Sequence, residues 1–582
     1  MKKKLIPVIA VLILIFLVLV GIIIGKKIKE LMPSNEQQDL NEYFAVAAED
    51  EAAIILNYDL AEEKALLKDG MIYLNFNYVH DKLNDRFYWD ANENILLYTT
   101  SANVVKASAD SKDYYIGRKK DTKTYKIVLV NVDQTYIALD YVAQYTNLTY
   151  EHFEEPNRVL LKTKWGTVKK SPVKRKTQLR VDQSVKSNIL KDLTKDDVLT
   201  KLEAADEWTK VATEDGLVGF VQNKRLGTEV EETQSHDFEE DTFLHQLRDY
   251  PINMGWHQVT VPEANQSIAN VLQNSKGLNV ISPTWFYLND NDGNIANLAS
   301  ADYVKYCHNQ GVEVWGLVSN LENKDVSTTE VLTHTSKREN LENQIIAAAI
   351  QYGLDGINVD FEALESAVGE GFIQFIRELS LKCDGNGIVL SVDNYVSSEY
   401  TKFYDRQEQA VFADYLVVMA YDEHYAGSKE SGSVASIGFV TKGADDILAE
   451  GVPAEQVILG IPFYTRVWSE KLKGGNGDDV ESASEDYVPY ELSSEAVGMQ
   501  SAQRLMEVNG AEKTWLEDIG QFYTEYVNGD TTYKIWFEDV RSVEEKLKVM
   551  TSHSFAGASF WKLGLEDPVV WDTILKYINR SK

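Results

Sequence analysis

Three polar side chains alternate along the run Gly356-Ile357-Asn358-Val359-Asp360-Phe361-Glu362. Read as a strand, the run puts Asn358, Asp360 and Glu362 on one face and Ile357, Val359 and Phe361 on the other. On an open amphipathic sheet such a file is an ordinary solvated edge. On a strand covered on both faces it is costly to fold, and that cost marks a place where chemistry is done. The chemistry these residue types support is proton transfer. Glu362 ends the file and is placed to give a proton to a leaving oxygen, while the like charge of Asp360 helps to keep it protonated. His257, His308 and His424 show no close ligand spacing, and carboxylate acid–base chemistry calls for no metal and no cofactor. Cys307 and Cys383 are the only cysteines, too few for a disulfide scaffold or a Cys-rich zinc site, and they read as buried thiols.

The elements that must hold this file begin at about Phe243. Eight short β-branched or aromatic runs recur from there: "INMGWHQVT", "LNVISPTWFYL", "VEVWGLVSN", "GINVDFEAL", "IVLSVDNYV", "YLVVMAYDEHY", "VILGIPFYT" and "GASFWKLG". Amphipathic stretches such as "IANLASADYVKYCHNQ", "RENLENQIIAAAIQY" and "GFIQFIRELSLKC" separate them and end near Gly, as helices do. Eight strand–helix alternations in about 340 residues predict an α/β fold, a (β/α)8 TIM barrel, with the acidic file opening at the mouth where strand C-termini gather. Arg466–Thr532 is too long for a loop and starts Gly/Asp-rich, which predicts an inserted lobe before strand eight.

Against this frame the residues carry a family resemblance. Asp355-Gly356-Ile357-Asn358-Val359-Asp360-Phe361-Glu362 resembles the glycoside hydrolase family 18 signature D-G-x-D-x-D-x-E, with Asn at the middle acid. Met419-Ala420-Tyr421-Asp422 is similar to the family's M-x-Y-D at strand six, Trp561 to its aromatic floor at strand eight, and "YKIWFEDVRSVEEKL" to the segment closing its insertion. With wall-type modules upstream, the chain resembles the spore-cortex and cell-wall glucosaminidase branch. The resemblance implies hydrolysis of β-1,4-linked glycans containing N-acetylglucosamine, of peptidoglycan or chitin type, by a retaining, substrate-assisted route.

Two-carboxylate glycosidases set their acids about 5 Å or more apart across the scissile bond, and this family is an exception in which the substrate assists. Asp360 and Glu362, neighbours on one strand, suit one acid and a helper, with the substrate's 2-acetamido oxygen as nucleophile. The resemblance makes Glu362 the proton donor, Asp360 the group that orients the acetamido N–H and stabilises developing positive charge, and Tyr421 the hydrogen-bond donor to the acetamido oxygen. It gives Asn358, Met419, Asp422 and Trp561 to substrate binding, with Asp422 on sugar hydroxyls and Trp561 under the reacting ring. Asn358 is the departure, leaving one charge fewer beside Asp360. A second reading is a carbohydrate-binding barrel, weak or inactive in catalysis, that anchors the cell surface to glycan; the intact Glu362 speaks against it. A third is a structural surface protein whose upstream modules do the binding, and turnover of glycan oligomers separates it from the first.

Upstream, Lys2, Lys3 and Lys4 precede an unbroken apolar run from Leu5 to Gly25, and Lys26, Lys27 and Lys29 follow it. About 21 residues at 1.5 Å each cross the ~30 Å hydrocarbon core of a bilayer. A cleaved signal peptide has a shorter core followed at once by small residues. Residues 1–29 therefore predict a cytoplasmic tail and an uncleaved single-pass anchor, with the bulk extracellular. Residues 30–65 read as a stalk. Residues 66–163 alternate Tyr/Ile/Leu/Val runs with turn residues, include a helical piece at "ALDYVAQYT", and resemble the copper-amine-oxidase N-terminal-like domain, a module that holds no copper. His80 and Asp81 at a helix start are surface polar groups there. Residues 164–227 offer short strands with close turns, which suit a small barrel and resemble a bacterial SH3 domain with Trp208 in its core. Seven Lys/Arg and no acid lie between Leu161 and Lys176, either a solvated linker or a contact for anionic wall polymer. Residues 228–244 form an acidic linker, and 245–582 the barrel.

Composition bounds the partners. The 582 residues are 44% hydrophobic and 25% charged, a folded chain of several domains, with a formal charge of −32. That field opposes nucleic acid. The expected partners are a polysaccharide substrate, the cell wall through the SH3-like block, and a membrane through the first helix.

Overall fold

The computed structural model describes residues 5–131, 134–473 and 490–578; Lys2, Lys3, Lys4 and the Gly/Asp-rich start of the expected insertion lie outside them. The chain divides into an amino-terminal unit, chiefly residues 1–240, and a carboxy-terminal unit, chiefly 241–582.

The amino-terminal unit starts with one helix, Leu5–Leu31, whose stretch Ile9–Lys27 is long and apolar enough to cross a membrane. Beyond it stands a seven-stranded sheet in the order Thr149–Phe153, Arg158–Lys162, Glu51–Leu56, Asp59–Lys68, Met71–Asn75, Gln134–Ala138 and Val128–Asn131. Helices Phe76–Lys82 and Leu139–Gln144 pack on it through Val79, Leu139 and Tyr141. The stalk expected over 30–65 is therefore shorter. Ala52, Ala53, Ile54 and Ile55 are buried in the sheet, and that short apolar run outweighs the polar composition around it.

A second seven-stranded sheet holds the strands expected over 177–227, and Trp208 is buried in it as expected. It also takes in both stretches read as linkers. Gly166–Pro172 pairs antiparallel with Val230–Gln234, and Lys169 and Lys170 form ion pairs with Glu229 and Glu232. The basic run and the acidic tract are two strands of opposite charge laid side by side, a pairing that separation in sequence conceals.

In the carboxy-terminal unit eight parallel strands close into a barrel: β1 Ile252–His257, β2 Val280–Leu288, β3 Glu313–Ser319, β4 Gly356–Asp360, β5 Val389–Tyr395, β6 Tyr415–Met419, β7 Val457–Pro462 and β8 Gly557–Trp561. Their spatial order follows the sequence, and β1 pairs with both β2 and β8 to close the ring. Alternation along each strand sorts two cores. Outward residues such as Ile357, Val359, Leu390 and Val392 meet the surrounding helices. Inward residues, among them Met254, Trp256, Trp315, Leu317, Tyr415 and Val417, fill the interior. Helices such as Thr335–Tyr352 and Gly369–Asp384 supply the outer ring, and Gly353 ends the first of them at φ 68°, where a side chain would be strained. Cys307 and Cys383 are buried in helices, as read.

The inserted lobe lies between β7 and β8 as expected, but its bounds are wider than Arg466–Thr532. Tyr464–Leu472, Tyr490–Gly498, Thr514–Leu516, Gln521–Asn528 and Thr531–Phe537 form one antiparallel sheet, with helix Met499–Val508 packed on it.

Candidate active site

The C-terminal ends of β4, β5 and β6 bring the site residues together, and the parallel register fixes their rows. Asn358 sits beside Leu317 of β3 and Ser391 of β5, and Asp360 beside Ser319. Asn358 lies deepest and is 0% exposed. Its Oδ1 accepts from Trp256 Nε1 at 2.9 Å and Ser282 Oγ at 3.0 Å, and its Nδ2 donates to Ser391 Oγ at 3.0 Å and Asp393 Oδ1 at 2.8 Å. Every hydrogen-bonding site of the amide is used inside the barrel. Asn358 is thus placed to support the site from below rather than to meet a ligand at the mouth.

One turn of the pleat higher stands Asp360. Its Oδ1 is closed off from solvent and has no hydrogen-bond partner among the described residues. Burial, then the charges of Asp393, Glu362 and Glu322, hold this carboxyl well above the ordinary range. Glu362 lies just past the strand and its backbone is clamped on both sides by one side chain: Asn320 Oδ1 accepts from Glu362 N at 2.8 Å and Asn320 Nδ2 donates to Glu362 O at 2.9 Å. Burial is the main force raising the Glu362 pKa; Asp422 and Glu322 add to it, and a hydrogen bond from Tyr395 opposes it. Sequence expects the charge of Asp360 to raise the Glu362 pKa; the upward shift comes instead from burial, with Asp422 and Glu322 adding to it. Ala363 follows at φ 52° and gives its N–H to Tyr395 Oη at 3.2 Å, so the chain turns sharply after the acid.

From β6 come Met419, 8% exposed, and just beyond it Tyr421, whose hydroxyl burial holds well above its ordinary pKa. Asp422 is exposed at φ 60° and accepts a short hydrogen bond from Tyr464, the first residue of the inserted lobe. Trp561 ends β8, half-buried, edge-on to Trp256 with ring centroids 5.8 Å apart. All seven residues singled out from sequence therefore come from β4, β6 and β8 or the first turns after them. Asp355, first acid of the motif, is at the other end of β4, where its Oδ2 accepts from Val314 N and contacts His308 Nε2, both at 2.8 Å. It secures the strand's start.

Sequence reasoning missed β5. Ser391, Asp393 and Tyr395 alternate along "LSVDNYV" with the period that exposed the β4 file, and Asp393 is 2% exposed beneath the mouth. That period was the available signal. Asn320, Ser282 and Trp256 carried none, since only the closed barrel brings them near. Among the described residues no cluster of three His, Cys, Asp or Glu could hold a metal. His257 bonds Tyr303 and Ser267, His308 bonds Asp355, and His424 bonds the Ser433 carbonyl.

Comparison with known proteins agrees with this arrangement. Residues 287–566 match the family model of glycosyl hydrolases family 18, and residues 56–161 that of the copper amine oxidase N-terminal domain. The sporulation-specific glycosylase YdhD of Bacillus subtilis (strain 168), so named provisionally, is 26% identical over 282 residues, 47% of this chain and 63% of its own. The cortical fragment-lytic enzyme of the same organism is 25% identical over 272 residues, 45% of this chain and 59% of its own. The chain thus spans less than two thirds of either relative. Among solved structures, the C-terminal domain of a Desulfitobacterium hafniense DCB-2 protein, provisionally named a chitinase, superposes with a TM-score of 0.50 at 21% identity, covering 57% of this chain and 99% of that one. The matched residues 287–566 run from the end of β2 to just past β8, so the likeness to family 18 lies in the barrel.

Proposed function

We propose that the barrel hydrolyses β-1,4-linked glycans containing N-acetylglucosamine, of peptidoglycan or chitin type, with retention of configuration and with the substrate's own acetamido group as nucleophile. The observation that carries this reading is the layering of the acids. Glu362, its pKa raised chiefly by burial, is the carboxyl at the mouth, whereas Asp360 and Asp393 sit below it in the barrel wall, on its own side. These three acids on one wall do not straddle a glycosidic bond, as a two-carboxylate mechanism demands, and Asp422 just past the end of β6 is engaged by the Tyr464 hydroxyl.

In the first step Glu362 gives its proton to the glycosidic oxygen, the bond from that oxygen to the anomeric carbon breaks, and the acetamido oxygen bonds to that carbon. Asp360 receives the acetamido N–H and stabilises the positive charge spread over the resulting ring, and Tyr421 donates to the acetamido oxygen. In the second step Glu362, now a carboxylate, takes a proton from water as the water oxygen attacks the anomeric carbon and the acetamido oxygen leaves. Two displacements return the β configuration. Met419 and Trp561 shape the floor under the reacting sugar, and Asp422 binds hydroxyls.

The cortical fragment-lytic relative favours a wall glycan, and the first helix favours a single-pass anchor holding the barrel outside the cell. The SH3-like strands and the copper-amine-oxidase N-terminal-like domain then serve wall contact and spacing. The test is product stereochemistry with the wild type and two variants. NMR of fresh product should show the β anomer. Glu362→Gln should lose about 10²–10⁴-fold in rate with glycan binding retained, and Tyr421→Phe should also slow turnover. Inversion, or full activity of Glu362→Gln, rejects the mechanism; binding without turnover by the wild type leaves a carbohydrate-binding barrel.

A further inference from the structure

The polar cluster under Glu362 contains a carboxylate that the strand-four motif does not account for. Asn358 pairs with Ser391 and Val359 with Val392 in the β4–β5 register. Continued by one residue, that register sets Asp393 beside Asp360 at the lateral spacing of neighbouring strands, about 4.8 Å, with both side chains on the inward face. Asn358 decides which way the cluster is polarised. Trp256 Nε1 is a donor only, so its 2.9 Å contact must fall on Asn358 Oδ1, and the NH2 group is left to face Asp393 Oδ1 at 2.8 Å. Had an ionised Asp stood at 358, two carboxylates would meet there. With Asn, Asp393 receives a donor and is held as an acceptor.

The groups facing Asp393 and Asp360 are then few. Asp360 and Glu362 come from β4 and its end, Glu322 from the loop after β3, Asp422 and Tyr421 from beyond β6, Tyr395 from β5 itself and Trp256 from β1. None is a cation, and no ion pair of the described residues involves Asp360, Asp393 or Glu362. Two buried carboxyls side by side without a cation hold one proton between them. The Asn358 amide favours the anion at Asp393, so the proton rests on Asp360, whose Oδ1 otherwise has no partner.

We propose that Asp393 is the positioning residue that supplies, from strand five, the carboxylate absent at Asn358, and that it acts through Asp360 by exchanging one shared proton with it. On glycan binding the O–H bond on Asp360 breaks and one forms on Asp393. The pair keeps a single negative charge, which moves to Asp360, next to Glu362 and the acetamido group, where it orients the N–H and keeps the Glu362 proton in place. This rests on the glycosidase reading above.

The experiment compares wild type, Asp393→Asn and the exchange Asn358→Asp with Asp393→Asn, all in the full chain, with chitin and peptidoglycan oligomers. Asp393→Asn should lower kcat at least tenfold with KM nearly unchanged. It should also move the alkaline limb of the kcat/KM profile to lower pH, because Asp360, buried and without its partner, keeps its proton, so the single negative charge of the pair is gone and Glu362 loses its proton sooner. The exchange variant should recover at least tenfold over Asp393→Asn. An unchanged alkaline limb, or an exchange variant no better than the single one, overturns the proposal. If Asp393→Asn does not fold, the exchange variant decides alone: activity within tenfold of wild type supports the shared proton and inactivity rejects it. Infrared difference spectra separate this outcome from failure of the glycosidase reading, since they need no turnover. A protonated carboxyl band near neutral pH, lost in Asp360→Asn and altered in Asp393→Asn, supports the pair; a band indifferent to both rejects it even in an enzyme inactive on every glycan offered.

Discussion

The acid at the mouth of the barrel is tuned by burial, by the charges of Asp422 and Glu322 and by the Tyr395 hydroxyl, and the last leaves a signature in pH. Burial raises the Glu362 pKa and the Tyr395 hydroxyl lowers it by donating to the carboxylate form. Tyr395→Phe removes the lowering contact and nothing that raises, so Glu362 should keep its proton to higher pH and the alkaline limb of kcat/KM should move up. The direction is opposite to that expected for Asp393→Asn, which makes the two variants controls for each other. A limb that stays put or moves down in Tyr395→Phe sinks the account of how Glu362 is held. Tyr395 also accepts the Ala363 N–H, so the profile is best read beside a melting curve that shows the turn after the acid intact.

Between residue and molecule, the inserted lobe depends on a buried charge pair. Glu538, at the lobe's exit, accepts from Lys546 Nζ at 2.9 and 3.1 Å, from Ser542 Oγ at 2.7 Å and from Gln521 Nε2 at 2.5 Å. The contacts join the lobe strand Gln521–Asn528 to helix Val540–Ser552, which packs on the barrel. Both charges are out of solvent, so removing one leaves the other uncompensated, at about 3–5 kcal/mol. Lys546→Met should lower stability by that order in a denaturant titration at pH 7. The sign with pH follows from the carboxyl left behind. Burial already raises the folded Glu538 pKa, and without Lys546 it rises further. The destabilisation should therefore be full at neutral pH and shrink as the pH falls toward the unfolded carboxyl range. Equal loss at both ends would mean that the pair acts by packing alone.

At the scale of the whole chain, the proposed anchor and the proposed wall contact predict where the barrel works. Ile9–Lys27 is apolar enough to span a bilayer and is flanked by lysines. Protease added to intact cells should release the barrel domain; protection would place it inside. Wall retention, if it belongs to the SH3-like strands, has a boundary that only the sheet reveals. Since Gly166–Pro172 pairs with Val230–Gln234, an excision ending at 227 leaves an unpaired strand, an exposed edge prone to association. Removal of 166–234 together should weaken sedimentation with purified wall while leaving hydrolysis of a small soluble glycoside unchanged. Equal sedimentation would make these strands spacers.

The barrel and the acidic file were legible in the sequence because both rest on short-range periodicity. Alternation at period two showed which side chains of β4 face inward, and eight such runs separated by amphipathic helices leave few other ways to bury them. Asp360 and Glu362 follow from the same alternation, whereas Tyr421 and Trp561 are named by the resemblance of strands six and eight to family 18 motifs. What sequence could not decide was which strands touch. The period of β5 shows Asp393 on the same face as Ser391, but the row that sets it close to Asn358 comes only from the β4–β5 register of the closed ring. The basic run and the acidic tract looked like linkers because each is polar by itself, and only the strand pairing between them, some 60 residues apart in the chain, turns their charges into Lys169–Glu229 and Lys170–Glu232 contacts. Local pattern determines what a segment can bury. Partners distant in sequence are chosen by the whole fold, because the energy of pairing them exists only once every other strand is in place.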